Sequence, residues 1–317
     1  MGKMLEGKAA IITGAGRGLG REEAIAMAKE GCNLLINDLG GTFDGAGAEG
    51  KVADEVVEEV KKLGVKAVAN YDSVTDFNKA KAMIDQAVSE FGKLDILVNN
   101  AGILRDRMLV NMAEAEWDSV VGVHLKGTFN MTRHANAYFR QICKDDPTLK
   151  FPGRIINTAS DAGLLGNMGQ TNYGAAKAGI AAFTIIAAME NKRGKYCTVN
   201  CLVPIARTRL TTDATPKFAD TMSKLDESGF DVFNPANFAP MIVFLASDEG
   251  SKITGEVFRV AGDRCWVYQG WHAVNMINNN GKPWTAEILA ERVKKELMKG
   301  MPKKETLIDA IGDMIKM

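Results

Sequence analysis

Tyr173 and Lys177 stand four residues apart in YGAAK, which puts both on one face of a helix. Ser160 lies 13 residues before the tyrosine (173 − 160), just past a strand-like run, Arg154–Thr158. Together these side chains suit proton exchange at an alcohol. A phenol is too weak an acid to serve as a base near neutrality. An ammonium beside it stabilises the phenolate and brings the group into range. The serine hydroxyl then holds the substrate oxygen in place. A Tyr-x-x-x-Lys spacing on its own is common on solvated helices, so its meaning depends on what else the chain carries.

A second signal stands near the N-terminus. Thr13-Gly14-Ala15-Gly16-Arg17-Gly18-Leu19-Gly20 follows the first strand-like run and opens a helical pattern. Glycines at such a turn allow a tight bend and close backbone approach to a pyrophosphate, which then sits at the positive helix N-terminus. Asp38 closes the second strand-like run, 18 residues after Gly20 (38 − 20), where a ribose-binding acid is expected. A carboxylate there accepts both ribose hydroxyls of NAD and repels the 2′-phosphate of NADP. Arg17 pulls the other way, but Leu39, Gly40 and Gly41 add no second cation, so the sequence favours NAD over NADP. The positive nicotinamide would add to the effect of Lys177 on the phenol.

The elements that must position these residues alternate regularly. Strand-like Ala9–Ile12, Asn33–Asn37, Ala67–Ala69, Leu94–Val98, Arg154–Thr158 and Thr198–Val203 each precede a helical pattern, and Val257–Val260 closes the series. The helical patterns are Leu19–Glu30, Ala48–Leu63, Phe77–Phe91, Trp117–Ile142, Tyr173–Asn191 and Pro235–Leu245. This predicts an α/β fold: a doubly wound, Rossmann-type parallel sheet of about seven strands with helices on both faces. Residues 1–270 are expected to form the nucleotide-binding catalytic domain, with a mobile lid over about 206–233. Leu39–Gly50 reads as a glycine-rich loop and Lys144–Pro152 as a polar insertion. Residues 271–317 read as an extension of two amphipathic helices, Trp284–Gly300 and Lys304–Met317, packed on the domain or on a partner subunit.

Composition narrows the classes. The chain of 317 residues balances 39 basic against 39 acidic side chains, which gives no reason to expect nucleic acid or an anionic membrane as partner. No run approaches the roughly 18 apolar residues of a membrane span. Five cysteines without a CxxC pair read as buried free thiols in a reducing compartment, and three histidines lack metal-ligand spacing. The start runs into a strand without a signal segment and the end carries no peroxisomal tripeptide, so the cytosol is the expected location.

The chain resembles the short-chain dehydrogenase/reductase family through TGAGRGLG, Asn99-Asn100-Ala101-Gly102 and Ser160/Tyr173/Lys177 in that order, over roughly Leu5 to Gly262. The resemblance implies a single Rossmann-type domain, a proton relay and a homodimer or homotetramer. It also implies that Asn99 to Gly102 border the nucleotide and stabilise the central strand, and that Asp72 touches the adenine. The cofactor-binding set implied is Gly14, Gly16, Arg17, Gly18, Leu19, Gly20, Asp38, Asp72, Ser73, Asn99, Ala101, Gly102, Tyr173, Lys177, Pro204 and Thr208. NDLGG, VANYDSV, VNNAGILRDR, VHLKGTF and GNMGQTNYGAAK are similar, more narrowly, to the dehydrogenase part of the type 2 peroxisomal multifunctional enzymes and their bacterial relatives.

That branch implies NAD-dependent oxidation of a (3R)-3-hydroxyacyl-CoA. A hydroxysteroid or other bulky cyclic alcohol is the alternative substrate, and a nucleotide-binding subunit without chemistry the alternative class. Two departures from the wider family stand out. His124 replaces the common asparagine and would either relay protons towards Lys177 or simply pack. Pro204-Ile205 replaces Pro-Gly after the sixth strand, which bears on Thr208. Asp161 is expected to hydrogen-bond locally, without a catalytic role.

Overall fold

The structure is a computed structural model and describes residues 3–47, 51–208, 222 and 229–315. Eight strands form one sheet: β1 (Ala9–Thr13), β2 (Asn33–Asn37), β3 (Ala67–Asn70), β4 (Ile96–Asn99), β5 (Gly153–Thr158), β6 (Cys197–Ile205), β7 (Val257–Ala261) and β8 (Arg264–Tyr268). Their order is β3-β2-β1-β4-β5-β6-β7-β8. All pairings are parallel except β7 with β8. The last strand therefore departs from the expected all-parallel sheet of about seven. Gly262, with φ +57°, and Asp263 turn the chain back on itself, too short a connection for anything but an antiparallel hairpin.

The winding reverses between β1 and β4, which opens the crevice in which such sheets bind ligands, beyond the carboxyl ends of the strands. Every residue of β1 is buried, as a strand covered on both faces requires. Ala10, Ile12, Leu34 and Ile36 pack on one side against α1 (Gly18–Lys29) and α2 (Lys51–Lys61). Ile11, Leu35, Leu97 and Ile155 pack on the other against α3 (Phe77–Phe91) and α5 (Gly127–Asp145).

Three further differences concern the helices. The single helix expected over Trp117–Ile142 is α4 (Glu114–Val121), then a π-helical turn Gly122–Lys126, then α5. Extra residues in a π turn shift the side-chain register, and here that turn carries His124. The pattern at Pro235 begins as a 3-10 turn, Pro235–Phe238, before the helix Ala239–Ala246. The expected Ala48–Leu63 helix is α2, which ends two residues earlier at Lys61, while 48–50 lie outside the described residues.

The chain divides into two compact units, Met1–Tyr268 and Gln269–Met317. The second holds a helix Ala286–Arg292, continued by a π turn Val293–Leu297, and a helix Leu307–Ile315. Thr285 caps the first of these, accepting from Ile288 N–H at 3.3 Å. Arg292 pairs with Glu296 at 2.7 Å and lies over the Trp284 ring. Most of the expected lid, 209–221 and 223–228, lies outside the described residues. Its two ends are tied together by an Arg207–Asp231 ion pair and by Arg207 N–H donating to the Phe233 carbonyl at 2.7 Å. All five cysteines are free, but only Cys32, Cys197 and Cys201 are buried; Cys143 is half-buried and Cys265 exposed. The expectation of five buried thiols fails at the two that stand on a helix end and on the edge strand β8.

Candidate active site

The glycine loop joins β1 to α1, and its shape is set by neighbours that need it bare. Gly14 has φ +66°, and a Cβ there would lie 2.7 Å from Ala101 Cα. A Cβ on Gly16 would lie 2.9 Å from Asp38 Oδ2, the oxygen that accepts the Gly16 N–H at 2.8 Å. Asp38 Oδ1 accepts from Gly40 N–H at 2.7 Å, so this one carboxylate ties the glycine loop to the loop after β2. Arg17 stands at the N-cap of α1 without a side-chain cap, and no acidic residue occupies the first turn. The N-cap side chain itself thus makes no bond to the first N–H groups of α1, which suits an anion site.

From the β4 side, Asn100 Nδ2 donates to the Thr13 and Gly14 carbonyls at 3.2 and 3.0 Å. Thr13 Oγ1 accepts from the Asn100 and Ala101 N–H groups, both at 3.1 Å. Asn99 points inward: its Nδ2 donates to Thr132 and to Asn157 Oδ1 at 3.0 and 2.9 Å, which stitches β4 to β5 and α5. Asp72 accepts from Asn70 Nδ2 at 3.2 Å and faces Lys79 at 3.6 Å, while Ser73 bonds Thr75. Thr208 lies against Gly18, 3.7 Å from the position a Cβ would take there. Pro204 sits in β6 opposite Val260, so the strand continues through the Pro-Ile pair. Gly102 is bare for a neighbour of its own: a Cβ on it would meet His124 Cε1 at 2.4 Å.

The three chemical residues converge at the carboxyl end of β5. Ser160 caps the short helix α6 (Asp161–Leu164), accepting from Ala162 N–H at 3.2 Å. Tyr173 and Lys177 lie in the first turns of α7 (Thr171–Gly194). Burial pushes the Tyr173 phenol up to about 12, although the hydrogen bond from Ser160 pulls it down. Lys177 is buried, donates from Nζ to the Thr158 carbonyl at 2.6 Å, and lies 5.5 Å from the centre of the tyrosine ring. Its pKa falls to about 8 through burial, so it stays largely cationic at neutrality.

His124 meets Tyr173 edge-on, with ring centres 5.0 Å apart. Its Nε2 lies 2.8 Å from the Ile103 carbonyl and 3.1 Å from the Ile103 N–H, and its buried Nδ1 has no partner. Burial, then the Lys177 charge, depress it to about 3, which leaves a neutral imidazole.

Residues to which the sequence assigned no chemical role stand around these three. Asn172 Nδ2 donates to the Arg105 and Glu116 carbonyls at 3.0 and 3.2 Å, and Asp106 accepts from Gln170 Nε2 at 2.7 Å. Asp161 is buried and reaches well beyond its own stretch of chain. It pairs with Arg259 of β7 at 3.1 Å and accepts from the Tyr268 hydroxyl of β8 at 2.6 Å. These links join segments far apart in the chain, which no local spacing reveals; Asn100, Arg105, Asp106, Gln170 and Asn172 lie within the runs VNNAGILRDR and GNMGQTNYGAAK, but the runs alone do not say which side chains meet.

The bare loop at a helix N-terminus whose N-cap side chain makes no cap bond, with a carboxylate at the end of β2, fits a dinucleotide. No group of three or more His, Cys, Asp or Glu side chains suited to a metal ion occurs among the described residues. The hydroxyacyl-CoA dehydrogenase ChsB1 of Mycobacterium tuberculosis is 39% identical over 280 residues, covering 88% of this chain and 85% of that protein. The peroxisomal hydratase-dehydrogenase-epimerase of Saccharomyces cerevisiae is 40% identical over 90% of this chain, which spans only 29% of that protein's length. A crystal structure of a short chain dehydrogenase from Mycobacterium avium superposes with a TM-score of 0.83 at 42% identity, covering 96% of this chain and 99% of that one. Residues 8–219 match the family model for short chain dehydrogenase. With the glycine loop, the Ser160–Tyr173–Lys177 cluster and these matches agreeing, this chain belongs to the short-chain dehydrogenase family.

Proposed function

We propose that the protein is an NAD-dependent oxidoreductase that interconverts a (3R)-3-hydroxyacyl-CoA and the 3-oxoacyl-CoA. The observation that carries this is the convergence of Ser160, Tyr173 and Lys177 at the end of β5, on the same sheet edge as the glycine loop. The acyl-CoA class follows the hydroxyacyl-CoA dehydrogenase relative. Support for NAD comes from Asp38. Each of its oxygens accepts one backbone N–H and keeps a lone pair for a ribose hydroxyl, while its charge opposes a 2′-phosphate.

An oxidised nicotinamide bound here supplies the hydride acceptor and a further positive charge near the phenol. The chain's own residues manage the proton. Lys177, held over Tyr173 by the Thr158 carbonyl, favours the phenolate that burial alone opposes. Tyr173 then takes the hydroxyl proton of the alcohol, or returns it in the reverse direction, while Ser160 orients the oxygen. His124 serves as a neutral positioning group: with Nε2–H given to Ile103, its Nδ1 is an acceptor for a water-borne proton relay towards Lys177. Asp72, Ser73, Ala101, Gly102, Pro204 and Thr208 complete the proposed cofactor contacts, and residues 206–233 the lid.

The test pairs NAD or NADP with (3R)- and (3S)-3-hydroxyacyl-CoA of several lengths and with hydroxysteroids, read by the absorbance of reduced nicotinamide. Turnover with NAD and the (3R) thioester is expected. Turnover confined to NADP would overturn the role given to Asp38, and activity confined to free steroids would overturn the substrate class. Tyr173→Phe should lose turnover by about 100-fold or more, on the order of a general base's contribution, while still binding nucleotide. The apolar outer face of α7 further supports a homo-oligomer. Five free thiols support a reducing compartment, and the cytosol is the compartment proposed; no described helix is long and apolar enough to cross a membrane.

A further inference from the structure

The glycine-rich stretch after β2 reaches far from its own strand. Its root is Asp38, whose two carboxylate oxygens accept Gly16 N–H at 2.8 Å and Gly40 N–H at 2.7 Å. Its tip is a small closed turn. Thr42 N–H donates to the Ala46 carbonyl at 2.8 Å and Gly45 N–H to the Thr42 carbonyl at 2.9 Å. The Asp44 carboxylate accepts from the Thr42 hydroxyl and from Ala46 N–H inside the same turn. This tip rests on the segment beyond β4. There Leu104 N–H donates to the Phe43 carbonyl at 2.9 Å and Arg105 Nε donates to the Asp44 carbonyl at 2.9 Å. A Cβ on Gly45 would lie 3.2 Å from Ile103 Cδ1.

β1 stands between β2 and β4 in the sheet, so a segment that starts at the end of β2 and is fastened beyond β4 passes over the carboxyl end of β1. That end carries the glycine loop, and the winding reverses beside it. The segment therefore spans the crevice into which a dinucleotide fits. Its packing is that of a part that moves. None of the side chains of residues 39–47 is buried, and Thr42, Gly45, Ala46 and Gly47 are exposed. Gly40 and Gly47, on either side of the tip, have φ of +73° and +74°, a backbone that glycine adopts freely. Hydrogen bonds to main-chain carbonyls and one close approach fasten the tip, and segments so lightly packed open at low cost.

We propose that residues 39–47 are a strap over the bound dinucleotide and that Arg105 is its clasp, so that release of the Arg105–Asp44 bond sets how fast nucleotide is exchanged. A ligand under a strap passes only when the strap lifts, on the way in as on the way out. The clasp has a firm anchor, because the Arg105 carbonyl accepts from Asn172 Nδ2 at 3.0 Å, at the start of α7. The inference rests on the dinucleotide lying along the glycine loop with a ribose at Asp38.

The experiment follows NADH binding by stopped-flow fluorescence, with capture read from its concentration dependence and release from a chase with excess NAD. Arg105→Met keeps the main-chain tie to Asn172 and removes the Nε donor. Gly45→Ala leaves Arg105 alone and crowds the tip off Ile103, on a backbone with φ +83°. Arg105→Met should quicken both capture and release about 5- to 10-fold, the worth of one hydrogen bond, and move the dissociation constant less than about 3-fold. Gly45→Ala should quicken both rates in the same direction, and thermal melts check that both variants fold. Unchanged rates would overturn the proposal. So would faster release without faster capture, which means that Arg105 touches the nucleotide itself, and so would an effect confined to Arg105→Met. Asp38→Ala should weaken NADH binding about 10-fold or more. Unweakened binding there would instead overturn the placement of the ribose, so the two failures are distinct.

Discussion

Glu23 lies on the inner face of α1 with Gly20, Ala24, Met27 and Ala28, a carboxyl set into an otherwise small and apolar stripe. It is 0% exposed and neither oxygen has a partner. Burial pushes its pKa from 4.5 to about 8, so at neutrality it is mostly a neutral acid. A group whose folded pKa is raised lends its full stability below about 4.5 and loses it as pH rises through about 8. Glu23→Gln removes that dependence with little change of shape. The variant should match the native protein near pH 5 and be more stable by a few kcal/mol near pH 9, at most about 1.4 kcal/mol for each pH unit crossed. Denaturant melts at both pH values check it, and an equal difference at both would contradict a desolvated carboxyl. His124 acts with the opposite sign: depressed to about 3, it lends stability above about 6.5 that is lost as pH falls towards 3. At this scale the sequence displayed residues whose chemistry is local in spacing, namely Ser160, Tyr173, Lys177 and Asp38. It hid Glu23, which sits in GREE where a charged run reads as solvated, because what surrounds a helix face is decided by tertiary packing.

The β7–β8 hairpin shows the same limit for elements. RCWVY follows β7 after two residues, and the regular βα rhythm ends there, so nothing periodic marks it as a strand. The helical pattern of Trp117–Ile142 likewise conceals the π turn, since one altered turn leaves most apolar spacings intact. Long strand-helix alternation was legible because burial on both faces imposes it on every residue. The hairpin's contribution is Arg259 and Tyr268, which fix Asp161 next to Ser160, with the Trp266 ring stacked 4.8 Å from the guanidinium. The pair is nearly sealed, with side-chain exposures of 6% and 2%, so deleting one member takes a buried counter-charge away from the other. Arg259→Met is expected to cost about 3–5 kcal/mol, and Tyr268→Phe about 1–1.5 kcal/mol. Adding Asp161→Leu to Arg259→Met should recover part of the stability but not the turnover, because α6 would no longer hold Ser160 in place. Equilibrium unfolding with parallel kinetics tests this. Stability near the native value in Arg259→Met alone would mean that solvent reaches Asp161.

On the scale of the molecule, α7 poses a question that the single chain leaves open. Its sequence is apolar on nearly all sides rather than along one stripe, a pattern that belongs to a covered helix. One side packs on the sheet through Ala176, Ile180, Thr184, Ala187 and Ala188. The other leaves Ile186 56% and Met189 69% exposed, three residues apart on one face. With 39 basic and 39 acidic side chains, two copies meet without net repulsion, so a second α7 can cover this face. The same helix carries Tyr173 and Lys177 near its start, and a partner along its outer side would stiffen the segment that holds the proposed chemistry. Sedimentation at micromolar concentration should therefore give a mass of at least two chains. Ile186→Glu with Met189→Glu should bring it towards one, since each site forfeits about 1.5–3 kcal/mol of apolar burial and would bury a charge instead. Turnover should fall with the mass if the partner steadies α7. A wild-type mass of one chain, or an unchanged mass in the double variant, would place the covering surface elsewhere and leave this face of α7 to solvent.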